Sequence, residues 1–345
     1  MNMYKIKTVP EDFVVDEITE IRESGASSKL RWKEKMDLLR NKKNSATKRF
    51  TIFRMTKTDM DLFGAIGILS EKTGIPKKYF GYAGTKDKKA VTSQMISVPE
   101  YPKKKMEDLK IKGIKISDIF YADRPIKLGN LSGNRFMITV RNIDSKEKAE
   151  IEKNIEKIKK NGFPNLFGEQ RFSKDNIEIG RLLVKKDFKR AAELIASSNK
   201  DVMYYLSGNK DDYMGAIKIL PKMLSKMFIH AYQSYIWNMT AEQVKKDCQI
   251  PIIGSKTKLE YYPDSKETVE KIMRKEGLSL SDFVIKDIMF LSTRGEERKS
   301  VVKPEKLAHS FGEDEMNEGR LKLILGFEIP KGSYATVLID FIMRI

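Results

Sequence analysis

The chain has 345 residues, 40% hydrophobic and 33% charged, and its 66 Lys and Arg against 48 Asp and Glu give a net charge of +18. That length accommodates two domains, and the positive balance makes a polyanion the first partner to consider. No run approaches the roughly eighteen apolar residues of a membrane span, the single cysteine (Cys248) forbids an intrachain disulfide, and two histidines (His230, His309) with one cysteine cannot build a typical structural zinc site.

Met1 to Lys7 has no apolar core ahead of a small-residue cleavage site, so no secretory leader is expected there and a reducing, cytoplasmic setting is. Lys5 to Ile18 alternates apolar and polar residues around Phe13-Val14-Val15 and reads as strand. Residues 22–49 hold ten Lys/Arg against three Asp/Glu and read as a mobile basic insertion, with room for a short helix around Trp32 to Leu39. Strand character resumes at Phe50 to Phe53. A helix follows with Leu62, Ile66 and Leu69 at helical spacing, punctuated by Gly74 and Pro76. Phe80 to Ala83 and Val91 to Val98 are strand-like around a polar loop, Gly84 to Lys89. More strand is expected at Ile111–Ile116 and Phe136–Val140, then a helix from about Lys146 with Ile151, Ile155 and Ile158 on one face.

From about residue 163 to 300 the pattern turns helical, with Leu224, Phe228, Ala231 and Tyr235 in one stripe and Ala191, Leu194 and Ile195 in another. Tyr334 to Ile339 returns to strand character. A discontinuous organisation follows: 1–162 and 301–345 form one domain whose last strand rejoins the first sheet, and 163–300 is inserted.

Asp87 stands between Lys86 and Lys88-Lys89 on the polar loop. Cations on both sides favour its ionised form, and an ionised carboxylate is a competent nucleophile at a sugar carbon. The same lysines suit phosphate. The plainer role for an Asp here is a turn residue bonded to its own backbone. Phosphate motifs fail: Gly81-x-x-Gly84-Thr85-Lys86 has the wrong spacing for a P-loop, and neither GxGxxG nor GxSxG is present. Asp59-x-Asp61 reads more simply as a helix cap than as a metal site.

The stretch Gly84-Thr85-Lys86-Asp87-Lys88-Lys89-Ala90-Val91-Thr92-Ser93-Gln94 resembles the Gly-x-Lys-Asp-x-x-Ala-x-Thr-x-Gln signature of the TruD family of pseudouridine synthases. Four further segments are similar to family motifs in the same order: Lys7-x-x-Pro10-Glu11-Asp12-Phe13; Lys127-Leu128-Gly129-x-Leu131-x-Gly133-Asn134-x-Phe136; Asn165-x-Phe167-Gly168-x-Gln170-Arg171-Phe172; and Pro330-x-Gly332-Ser333-Tyr334-Ala335-Thr336. Together they run nearly the length of the chain. The family often has Arg at Lys88, Gly at Ser173 and Phe at Tyr334.

The resemblance implies an α+β fold, a pseudouridine synthase catalytic domain with a mixed, largely antiparallel sheet plus an inserted α/β domain. It implies isomerisation of uridine to pseudouridine in tRNA at position 13 of the D arm, through a flipped-out nucleotide, with no cofactor, no metal and no protein partner required. Asp87 is then the catalytic residue, as nucleophile or base, Lys7 its supporting cation, and Asn134 a residue that orders the loop or positions substrate. Phe136 stacks on uracil, Tyr334 lines the pocket, and Lys86, Lys88 and Lys89 hold RNA phosphate. Gln170-Arg171 reads as a structural pair. Two other readings make different predictions. A non-catalytic RNA-binding protein or chaperone on the same fold would bind RNA without isomerising it, and a metal-dependent nuclease using Asp59 and Asp61 would cleave it.

Overall fold

The structure, a computed structural model, describes residues 4–19, 49–173 and 175–344. The expected basic insertion at 22–49 lies, apart from Arg49, outside the described residues. The strands are β1 (Phe13–Ile18), β2 (Phe50–Thr58), β3 (Gly81–Tyr82), β4 (Val91–Pro99), β5 (Ile114–Ala122), β6 (Gly133–Ile143), β7 (Phe163–Pro164), β8 (Gln249–Ile252), β9 (Glu296–Lys299), β10 (Val301–Val302), β11 (Glu305–Glu313) and β12 (Leu321–Pro330). The fold is α+β, and the chain divides into two compact units: Met1–Ile155 with Pro304–Gly332, and Glu156–Lys303 with Ser333–Arg344.

The first unit is built on an eight-stranded sheet in the order β11-β12-β6-β1-β4-β2-β5, with β3 added to β4. Every neighbour pair is antiparallel except β1 with β4. Paired residues share a face of a sheet, so the registers assemble rows of side chains. One row runs Lys57, Thr92, Val15, Phe136, Phe327. The helix Leu62–Thr73 covers part of this face, packing Leu62, Ala65, Ile66 and Leu69 on Phe53, Met55 and Ile96. Asp61 caps its start by accepting from the Gly64 amide, and Gly74, at a left-handed φ of 73°, ends it. The Asp59-x-Asp61 pair is thus a turn and a cap.

The second unit packs short helices around Lys222–Val244, whose Phe228, Ile229, Tyr232 and Ile236 enter one core with Leu183, Ala191, Ile195 and Ile217. Helix Asn176–Val184 crosses it at Gly180, where a Cβ would collide with the Phe228 carbonyl, so only glycine lets the two backbones approach. Two small ladders, β7 with β10 and β8 with β9, complete the unit.

The C-terminal segment departs from the sequence reading. Tyr334 to Ile339 was expected as strand, but Ala335–Ile342 is a helix in the second unit, with Ala335, Val337, Leu338, Ile339 and Ile342 all buried. A short apolar run buried on most sides carries no periodicity to separate strand from helix. The strands that return to the first sheet are β11 and β12, with β12 lying between β11 and β6.

Candidate active site

The one parallel pairing of the sheet brings the key residues together. Val14 lies beside Val91, so β1 and β4 start at the same end of the sheet. Lys7 leads into β1 and Asp87 leads into β4; both approaches meet there. Lys7 Nζ donates to Asp87 Oδ1 at 2.8 Å, with the two side chains 18% and 32% exposed. The same ammonium stands 4.0 Å from the centre of the Phe13 ring. Lys7 takes a φ of 56°, a region that L side chains occupy at a cost.

Three inward-facing polar side chains pin the loop around Asp87 to the sheet. Gln94 Nε2 donates to the Gly84 carbonyl at 3.0 Å. Lys86 Nζ donates to Glu17 Oε2 at 2.6 Å, the two side chains being 7% and 0% exposed. Lys57, 0% exposed, donates through Nζ to the Asp87 carbonyl at 2.8 Å and to the Met60 carbonyl at 2.5 Å. Burial pushes the Lys57 pKa down, against the opposing pull of the Asp87 and Asp61 carboxylates. Lys86 had been assigned to RNA phosphate. Its ammonium is spent on a buried carboxylate, which corrects that assignment; Lys88 and Lys89 are exposed and face water.

Phe136 sits in the row beside Val15. Its ring stacks on Phe327 at 5.3 Å and meets the edge of Phe13 at 6.0 Å, leaving the residue 7% exposed. Asp87 is thereby linked through Lys7 and Phe13 to Phe136. Asn134 lies directly across from Glu17. Four buried atoms on this face, Glu17 Oε1, Thr92 Oγ1, Gln94 Oε1 and Asn134 Oδ1, have no hydrogen-bond partner among the described residues. Buried polar atoms rarely stay unpaired, so the floor under the Asp87 loop is suited to water or to a polar ligand.

Tyr334 belongs to the second unit, where its ring meets Phe167 at 6.2 Å and the Arg298 guanidinium at 5.9 Å. Arg298 is a centre that sequence reading missed. It donates to the Asn165 carbonyl at 2.7 Å and to Asn165 Oδ1 at 2.7 Å, and lies 4.2 Å over Phe167. Burial lowers its pKa to about 10. Arg171 of the same segment donates to Ser234 Oγ at 3.2 Å, a contact within this unit.

Lys57 and Glu17 were also absent from the sequence reading. A signal for both existed: each ends an alternating inward series, Phe53-Met55-Lys57 and Phe13-Val15-Glu17, where an apolar residue is the default. Among the described residues no group of three or more His, Cys, Asp or Glu is placed to hold a metal, and no helix is long and apolar enough to cross a membrane.

The family model for tRNA pseudouridine synthase D (TruD) matches residues 3–201, 195–250 and 239–340. A probable tRNA pseudouridine synthase D of Methanosarcina acetivorans is 26% identical over 99% of this chain and 92% of its own. One from Thermococcus onnurineus is 32% identical over 68% of this chain and 60% of its own. The crystal structure of the putative tRNA pseudouridine synthase D from Methanosarcina mazei superposes with a TM-score of 0.75 at 25% identity, covering 99% of this chain and 93% of that one.

Proposed function

Because this chain belongs to the TruD family of tRNA pseudouridine synthases, we propose that it isomerises uridine at position 13 of the tRNA D arm, with Asp87 as the catalytic carboxylate. The observation that carries the assignment is the Lys7–Asp87 pair, set on a loop pinned to a sheet face that also bears Phe136 and Asn134.

The reaction breaks the C1′–N1 bond and joins C1′ to C5 of the same uracil. The proton on C5 leaves and N1 gains one, so the product is an isomer and no electron acceptor is consumed. Asp87 begins it either by attacking C1′, forming an ester, or by removing the C2′ proton, forming a glycal. Lys7 holds one carboxylate oxygen and so sets which way the other side of the group faces. A uridine within folded RNA is reached only by turning it out of the stack. Phe136 offers the apolar platform for that base, and Asn134 Oδ1 accepts from a uracil N–H. Lys88 and Lys89 hold the flanking phosphates. With tRNA as substrate, the enzyme works in the cytoplasm.

The test is turnover of an unmodified tRNA transcript by the intact protein and by Asp87→Asn, with pseudouridine mapped at nucleotide resolution. The intact protein is expected to modify the D arm at position 13, and Asp87→Asn to lose activity by at least about a thousandfold, as removal of a group on the reacting atoms commonly does. Tight tRNA binding by the intact protein without any isomerisation would support the non-catalytic reading instead.

A further inference from the structure

We propose that Lys57 is a positioning residue for Asp87, acting through the main chain where Lys7 acts on the carboxylate. This rests on the reading of Asp87 as the catalytic group.

Lys57 is fully buried in β2, at the end of an inward series in which Phe53 and Met55 are core. Its hydrogen-bond partners are two neutral carbonyls, of Met60 and of Asp87. Removing an ammonium from water is costly, and a fold that needed only stability would hold an apolar side chain of similar length there. The structure spends that cost on two peptide groups, and one of them belongs to the residue whose carboxylate does the chemistry.

The second partner explains what the bridge accomplishes. Met60 lies in the turn that enters helix Leu62–Thr73, and this turn is itself anchored: Asp61 caps the helix, and the Asp59 amide donates to the Ala90 carbonyl at 3.1 Å. Lys57 therefore ties Asp87 to a packed helix on one side while its own backbone belongs to the sheet. Asp87 is held at both ends, by Lys7 at Oδ1 and by Lys57 at the carbonyl. A carboxylate that must meet a sugar carbon depends on such fixed orientation, since small misplacements of a reacting group cost large factors in rate.

The experiment compares the intact protein with Lys57→Met and Lys57→Gln by two readouts. The first is steady-state turnover on tRNA, with kcat counted per tRNA-binding molecule. The expected result is a kcat lowered at least about thirtyfold with KM and tRNA affinity within about twofold, the pattern of a lost orienting contact. The second is peptide-level hydrogen exchange. Amides of residues 84–90 are expected to exchange at least about tenfold faster in the variants, with β1 and β4 unchanged. Exchange reads the positioning even if the intact protein proves inactive, an outcome that would refute the functional reading and not this one. A loop whose exchange is unchanged overturns the proposal. So does a wild-type kcat per binding-competent molecule, a loss confined to KM, or the failure of both variants to fold, which would make Lys57 a residue of stability alone.

Discussion

Lys7 combines an unfavourable backbone with a favourable contact. Its φ of 56° costs it relative to glycine, and its ammonium touches both Asp87 and Phe13. Stability and activity are therefore expected to separate on substitution. Lys7→Gly relieves the backbone and removes the cation, so its unfolding free energy is expected to stay within about 1 kcal/mol of the parent. Its turnover is expected to fall at least about tenfold, by loss of the contact that orients the carboxylate. Denaturant unfolding and tRNA turnover on the same preparation check both parts. Asp87, Lys7, Asn134 and Phe136 were singled out in the sequence because each lies in a short motif that resembles one of the family. Lys86 misled, since a lysine beside an Asp in a polar loop reads as solvent-facing until its distant partner, Glu17, is known. The inward place of Lys57 could be read from its alternation, but nothing local announces that its amine reaches a loop thirty residues on.

Arg141 of β6 does for the sheet what Lys57 does for the loop. It is buried with Asp12, next to the start of β1, and with Asp314, in the turn between β11 and β12; Glu315 on the rim also accepts from it. Arg141→Leu strands two buried carboxylates and is expected to destabilise the protein by about 3–5 kcal/mol, measurable as a lower denaturation midpoint. The same cluster predicts acid sensitivity. Lys322 first, with Arg141 further down, holds the Glu315 carboxyl at about 2. For Asp314, burial pushes upward, but the amides of Asn142 and Met316 with Asn317 and Arg141 outweigh it and leave the pKa lowered. Below the ordinary carboxylate range, near 4, the unfolded chain binds protons that the native one refuses. The stabilisation is thus complete above that range and is lost as pH falls towards about 2. Urea midpoints between pH 5 and pH 2 are expected to drop, and to drop less in Arg141→Leu. At this scale β1 to β6 and the helix Leu62–Thr73 were legible from alternation and spacing, whereas β11 and β12 were not singled out. The helix Ala335–Ile342 was not, because Thr336-Val337-Leu338-Ile339 favours strand by propensity and tertiary burial decides otherwise.

The net charge of +18 belongs to the chain as a whole. Association with tRNA is expected to release counterions, so affinity measured by filter binding is expected to fall at least about tenfold between roughly 50 and 200 mM salt. A salt-independent affinity would remove the electrostatic account. The composition announced this charge; the return to the first unit was expected through Tyr334 to Ile339, but the segment that returns is β11 and β12. What it could not announce was the order of strands, which depends on pairings such as Val14 with Val91 and Phe327 with Phe136. That return has a consequence for biosynthesis. During translation β6 leaves the ribosome with one flank matched to β1 and the other bare, and its missing neighbour, β12, is encoded only after the long stretch Glu156–Lys303 of the second unit. The nascent polypeptide must carry this sticky border through the wait, so a premature stop codon ahead of Leu321 is expected to yield an insoluble product even though most of the message has been read.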